Sequence, residues 1–133
     1  MSAVALLVVS HSRTLAEGVR ELAAQMAPGV RIATAAGAVD GGLGVDVVRI
    51  AATMEELAEA GGVCVLADIG SSVMGTDAAL ELVREDLRAR VRFADAPLVE
   101  GAIAAAVIAS TGAGLDAVVA AAEEARGARK RSL

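Results

Sequence analysis

Between Val4 and Val9 the chain reads Val-Ala-Leu-Leu-Val-Val, and it then meets Ser10-His11-Ser12. A half-exposed strand would alternate apolar and polar residues. An unbroken valine-rich run of this length reads instead as a strand buried on both faces, as in a parallel sheet covered by helices. A second such run, Val63-Cys64-Val65-Leu66-Ala67, ends at Asp68-Ile69-Gly70-Ser71-Ser72. Open α/β sheets bind ligands beyond the carboxyl ends of their strands. His11, the only histidine, and Asp68 therefore stand where such a fold places chemistry. The plain alternatives are a solvated loop histidine and an aspartate that only caps a helix.

The rest of the chain supplies the layers around these strands. Leu15, Val19, Leu22 and Met26 recur at helical spacing, Ser12 or Thr14 can cap that helix, and Pro28-Gly29 stops it. Val30 to Ala35 reads as a second strand. The loop Gly37 to Gly44 is glycine-rich, but its spacing fits neither a P-loop nor a dinucleotide fingerprint. Asp46 can cap a helix whose apolar stripe is Val47, Ile50, Met54 and Leu57. After the second buried strand we expect one helix from about Ser72 to Arg88 and a strand from Arg90 to Ala94. Helices over Leu98 to Ser110 and Leu115 to Arg126 complete the chain. Strand-helix repeats closed by two helices predict an α/β fold: an open, mainly parallel sheet of four to five strands with helices on both faces. In the order 2-1-3-4, the first and third strands are neighbours and His11 meets Asp68.

Composition bounds what such a domain can do. The 133 residues suit a single domain, read as 1–127, with a flexible basic tail over 128–133. A net charge of -5 and a single aromatic residue, Phe93, argue against a nucleic-acid partner. The basic cluster from Arg126 to Arg131 reads as a solvated tail. The lone cysteine, Cys64, cannot form an internal disulfide and reads as a small buried hydrophobe. One Cys and one His cannot build a zinc site of the usual kind, so we expect no metal and no cofactor. Met1-Ser2-Ala3 lacks a positive leader region. The apolar stretch Gly101 to Ala122 is broken by Gly112-Ala113-Gly114 and Asp116, which suits two short buried helices better than a membrane span. A cytoplasmic protein is expected. The apolar stretches Ala102 to Ile108 and Val118 to Ala122 suggest more apolar face than one domain covers. We therefore expect a homodimer whose interface lies away from His11.

A neutral imidazole is a nucleophile near physiological pH, its unperturbed pKa being ~6.5. A carboxylate on one ring nitrogen fixes the tautomer, exposes the lone pair of the other, and stabilises the cation formed on attack. Backbone N–H groups at Gly70 to Ser72, with the hydroxyls of Ser12, Ser71 and Ser72, can hold phosphoryl oxygens. His11 as phosphoryl acceptor, Asp68 as its orienting group and this cradle describe a phosphohistidine site. The Lys, Arg and metal ligands of ATP chemistry are missing from it. A Ser-His-Asp hydrolase using Ser10, Ser12, Ser71 or Ser72 is compatible with composition, but no G-x-S-x-G elbow is present.

Four blocks carry a family resemblance: Val8-Val9-Ser10-His11-Ser12, Leu15-Ala16-Glu17-Gly18, Ala67-Asp68-Ile69-Gly70-Ser71-Ser72-Val73-Met74 and Ala96-Pro97-Leu98-Val99-Glu100-Gly101-Ala102. Together they resemble the phosphotransferase subunits of bacterial dihydroxyacetone kinase, the DhaM family. Its first domain is similar to the mannose-class IIA domains of the sugar phosphotransferase system. The resemblance implies that His11 accepts a phosphoryl group from the histidine phosphocarrier protein and passes it to ADP on the nucleotide subunit of the kinase. It also implies an Asp68–His11 hydrogen bond, Gly70, Ser71 and Ser72 beside the ring, and a homodimer. Val45 stands where the family pattern has a hydroxyl residue, often Thr, and Gly75-Thr76-Asp77 stands where Ala-Glu is more usual. Some relatives carry fused carrier domains; without them the donor is a separate protein. A mannose-class sugar-transporter IIA component and a phosphorylation-responsive regulatory module are the alternatives.

Overall fold

The computed structural model describes residues 3–131. Strand β1 (Ala5–Ser10) leads into helix α1 (Arg13–Met26), followed by β2 (Ile32–Ala36), α2 (Val47–Ala58) and β3 (Val63–Ala67). Then come α3 (Ser71–Leu82), α4 (Glu85–Arg88), β4 (Val91–Phe93), α5 (Leu98–Ala109), α6 (Leu115–Glu124) and a 3₁₀ turn at Ala125–Gly127. The four strands form one parallel sheet in the order β2-β1-β3-β4. This is the expected α/β architecture with its lower strand number.

All residues of β1 and β3 are buried, because alternate side chains serve two separate cores. Leu6, Val8, Cys64 and Leu66 pack with α1, α5 and α6 on one face. Leu7, Val9, Val63 and Val65 pack with Ile50, Met54 and Leu57 of α2 and Ala79 of α3 on the other. Cys64 is a core side chain whose thiol burial pushes up to about 12, so it stays a protonated, inert filler. Small side chains set the spacing on the first face. A β-carbon at Gly101 would lie 2.9 Å from the Ala96 β-carbon and 2.9 Å from Leu66 Cδ2, so glycine lets α5 lie close on β3.

Several expectations are corrected. The buried face of α1 is Ala16, Val19 and Ala23, whereas Leu15, Leu22 and Met26 are 43%, 49% and 57% exposed. The stripe of large apolar residues is thus one position out of phase with the true core face, which needs small side chains to approach the sheet. The long helix expected over Ser72 to Arg88 is two helices. Val83 and Arg84 are extended between them, and this turns Val83 into the core while the Arg84 amide donates to Glu55 Oε2 at 2.8 Å. Ala102, Ala105, Ala106, Val118, Val119 and Ala122 are all buried within the one chain. Val107 is 38% exposed, and Ile103 and Ile108 of the same helix are only partly buried, so α5 keeps apolar surface beyond what packs on α6 and the sheet. In the basic cluster Arg126 pairs with Asp95 at 2.8 Å and Lys130 with Glu100, and both basic side chains stay exposed to solvent. Residues 132 and 133 of the expected tail, like residues 1 and 2, lie outside the described residues. No helix among the described residues is long and apolar enough to cross a membrane.

Candidate functional site

The register of β1 on β3 places Val9 opposite Ala67, so the residues leaving the two strands meet at the carboxyl edge. The Asp68 amide extends the ladder by donating to the Val9 carbonyl at 3.1 Å. This leaves the Asp68 carboxylate facing the β1 exit. Its Oδ2 accepts from the Ser10 hydroxyl at 2.8 Å and from the His11 amide at 3.1 Å, and its Oδ1 accepts from the Ile69 amide at 2.8 Å. The His11 Nδ1 lies 3.1 Å from Oδ1, 3.3 Å from Oδ2 and 3.0 Å from the Ser72 hydroxyl.

Burial raises the Asp68 pKa, but hydrogen bonds from Ser72, the Ile69 amide, Ser10 and the His11 amide outweigh it and hold the carboxyl at about 2. Asp68 is therefore ionised throughout the neutral range. An ionised carboxylate is an acceptor, so the ring proton belongs on Nδ1 and the lone pair on Nε2. The side chains of His11 and Asp68 are 29% and 10% exposed, so the ring reaches solvent while the carboxylate behind it is mostly covered.

The Ser71 hydroxyl meets Nε2 at 2.7 Å. It comes from the first turn of α3, whose start is unusual. Gly70 occupies φ 53°, ψ -116°, a left-handed region that favours glycine, and no side chain caps the helix. The Gly70 and Ser71 amides donate to no acceptor among the described residues, whereas the Ser72 and Val73 amides bond back to Ile69 and Gly70 carbonyls. Open amides at a helix N-terminus attract anions. Ser71 and Ser72 thus stand against the His11 ring, with Gly70 immediately before them in the chain. Ser12 does not join them: its hydroxyl accepts from the Leu15 amide at 3.1 Å as the N-cap of α1.

Sequence reasoning gave Ser10 no part in the phosphoryl site. It is 1% exposed, donates to Asp68 and accepts from the Ser12 amide at 3.0 Å. The available signal was a hydroxyl ending an otherwise apolar buried strand, because a buried polar group demands a partner. The glycine-rich loop also braces the site. Its Gly37 and Gly44 amides donate to the Ser10 and His11 carbonyls, both at 3.1 Å. Among the described residues, no group of three or more His, Cys, Asp or Glu side chains is placed to hold a metal ion.

Fold and site together define a parallel α/β domain with a carboxylate-backed histidine facing an uncapped helix N-terminus. The sequence profile of the EIIA-man family, described as the PTS system fructose IIA component, matches residues 5–119. The chain is 42% identical over 132 residues to the PEP-dependent dihydroxyacetone kinase phosphoryl donor subunit DhaM of Escherichia coli, covering 96% of this chain and 28% of that protein. It is 35% identical over 105 residues to the DhaM of the second such kinase of Listeria innocua, covering 78% of this chain and 84% of that protein. A crystal structure of a protein of unknown function, EF1359, superposes with a TM-score of 0.88 at 33% identity, covering 97% of this chain and 98% of the other. The chain belongs to the EIIA-man family and, within it, to the DhaM phosphoryl donor subunits. It spans little more than a quarter of the length of the Escherichia coli relative and most of the Listeria one.

Proposed function

We propose that this chain carries a phosphoryl group on His11 Nε2 within a phosphoenolpyruvate-dependent dihydroxyacetone kinase. The observation that carries the reading is the division of the ring: Nδ1 faces an ionised Asp68, while Nε2 faces a hydroxyl, open amides and solvent. The similarity to DhaM proteins named as phosphoryl donor subunits supports it. The donor is the histidine phosphocarrier protein and the acceptor is ADP held by the kinase's nucleotide-binding subunit.

In the loading step the Nε2 lone pair attacks phosphorus, the new N–P bond forms, and the bond to the donor nitrogen breaks. The ring keeps its Nδ1 proton and becomes cationic beside Asp68. Ser71 leaves Nε2 and donates to a phosphoryl oxygen, and the open amides take further oxygen charge. In the unloading step a β-phosphate oxygen of ADP attacks phosphorus and the N–P electron pair returns to Nε2. Little covalent work falls to the protein; positioning and charge stabilisation supply the rate. Val39, Leu43, Ile69 and Met74, all well exposed, lie in the glycine-rich loop or at the start of α3 and give both partners an apolar rim to dock on. With this edge engaged by partners, a homodimer would use the opposite surfaces.

Incubation with phosphoenolpyruvate, enzyme I and the histidine phosphocarrier should add one acid-labile phosphoryl to the intact mass. Adding the nucleotide subunit with ADP should discharge it. The fructose IIA description of the family profile favours one second reading, a IIA component of a sugar transporter. In that case the label would pass to permease components and not to ADP.

A further inference from the structure

Glycine is a poor residue for a helix interior, yet Gly75 sits in the second turn of α3. The space around it explains why. A β-carbon at position 75 would lie 2.6 Å from Val45 Cγ1, with Val47 Cγ2 at 3.6 Å. Val45 thus occupies the notch that the missing side chain leaves. Gly75 follows Ser71 by four residues and lies below it on the same helix face.

Val45 belongs to the loop between β2 and α2, and that loop is tied to the other half of the site. The Gly37 amide donates to the Ser10 carbonyl and the Gly44 amide to the His11 carbonyl. The loop is also closed on itself. The Ala38 amide donates to the Gly42 carbonyl at 2.9 Å, the Gly42 amide donates to Asp40 Oδ1 at 2.8 Å, and a β-carbon at Gly44 would lie 2.9 Å from that of Ala38. Both ends of this closed unit, Gly37 and Gly44, hold the β1 exit by hydrogen bonds, and Val45, next after Gly44, sits against α3.

We propose that Val45 and Gly75 form a positioning clamp that sets where the α3 serines stand relative to the His11 ring. The clamp touches neither the phosphoryl group nor the ring. It fixes the 2.7 Å Ser71–Nε2 and 3.0 Å Ser72–Nδ1 contacts by coupling the glycine-rich loop to α3. An alanine at 75 suits a helix better but drives Val45 off its seat. Either the loop lifts from the Ser10 and His11 carbonyls, or the start of α3 moves from the ring. The consequence for rate rests on the phosphohistidine reading above, whereas the consequence for ring geometry does not.

The test uses Gly75→Ala, Val45→Ala and the double variant, with two readouts. One is the rate of phosphoryl loading from the histidine phosphocarrier. The other is the ¹⁵N resonances of the imidazole, which are unambiguous because His11 is the only histidine. Gly75→Ala should lower the loading rate at saturating donor by ~10-fold, with the half-saturating donor concentration little changed, and should move the ring resonances. Val45→Ala in the same chain should return both to within ~2-fold of the Val45→Ala single variant, since it removes the clash. Wild-type resonances and rates in Gly75→Ala would overturn the clamp, as would a double variant no better than Gly75→Ala. If Gly75→Ala does not fold, Val45→Ala alone decides. It should speed hydrogen exchange at the Gly44 amide, and unchanged exchange would overturn the proposal. If the wild type takes no label but the ring resonances follow the predicted pattern, the clamp stands and the relay reading falls.

Discussion

Two strands of this sheet hand over to helices at the same edge, and they do so in opposite ways. At the β1–α1 junction Ser12 has an extended backbone and its hydroxyl caps the Leu15 amide. At the β3–α3 junction Gly70 takes a left-handed conformation, no side chain caps the helix, and two amides stay open. Capping contributes about 1 kcal/mol of stability, so the second junction gives up that contribution. In return, its hydroxyls and open amides stand beside the His11 ring. On the phosphohistidine reading proposed above, the first junction serves stability and the second serves an anion that is not part of the protein. Each variant below is expected to damage one of these two properties.

The largest effect belongs to the proposed nucleophile. His11→Ala should abolish phosphoryl loading, with the fold retained by circular dichroism, since the side-chain hydrogen bonds of His11 all go to Asp68, Ser71 and Ser72. Full labelling of this variant would remove the second junction from phosphoryl chemistry altogether. Asp68→Asn comes next. Asp68 caps no helix; its carboxylate receives Ser10, the His11 amide, the Ile69 amide and the ring. The amide keeps the shape but weakens stabilisation of the imidazolium, so loading should fall by at least ~10-fold. A changed melting temperature with an unchanged rate would show a structural role only.

These roles were unequally legible in the sequence. The buried strands, their order and the meeting of His11 with Asp68 could be read because an unbroken apolar run permits few architectures. The α1 face is hidden from periodicity in large residues, because a helix lying close on a sheet buries Ala16 and Ala23. The break at Val83–Arg84 left no Gly or Pro signal; it is imposed by tertiary packing of Val83 and by the Glu55 bond to the Arg84 amide. Linear proximity to His11 does not say where the Ser12 side chain turns; in the fold its hydroxyl accepts from the Leu15 amide. Val45 and Gly75, thirty residues apart, looked like unrelated departures from the family pattern. In the fold they fill each other's space.

Acid separates the junctions further. The folded Asp68 carboxyl sits at about 2, below its ordinary 3.8. A depressed carboxylate adds stability that is fully present above the unfolded value and is lost as pH falls through the folded one. The wild type should therefore lose stability between about pH 4 and pH 2. Denaturant midpoints measured across that window should show a shallower fall for Asp68→Asn. Equal slopes would mean that the hydrogen bonds around Asp68 do not favour its charged form.

The smallest expected effects form a matched pair. Ser71→Ala removes the hydroxyl at Nε2 and no cap, so loading should fall by ~5-fold, the worth of one hydrogen bond of about 1 kcal/mol, with stability unchanged. Ser12→Ala should do the reverse. Its amide, which donates to Ser10, survives the substitution, while the bond from the Leu15 amide is lost. Stability should drop by about 1 kcal/mol, a shift of about 4 °C in Tm for a domain of this size, and loading should stay within ~2-fold of wild type. The pair has a clear failure. If Ser12→Ala slows loading as much as Ser71→Ala does, the Ser12 hydroxyl leaves its cap to reach the phosphoryl group. The first junction would then be part of the site, and the contrast between the two would hold only for the unloaded protein.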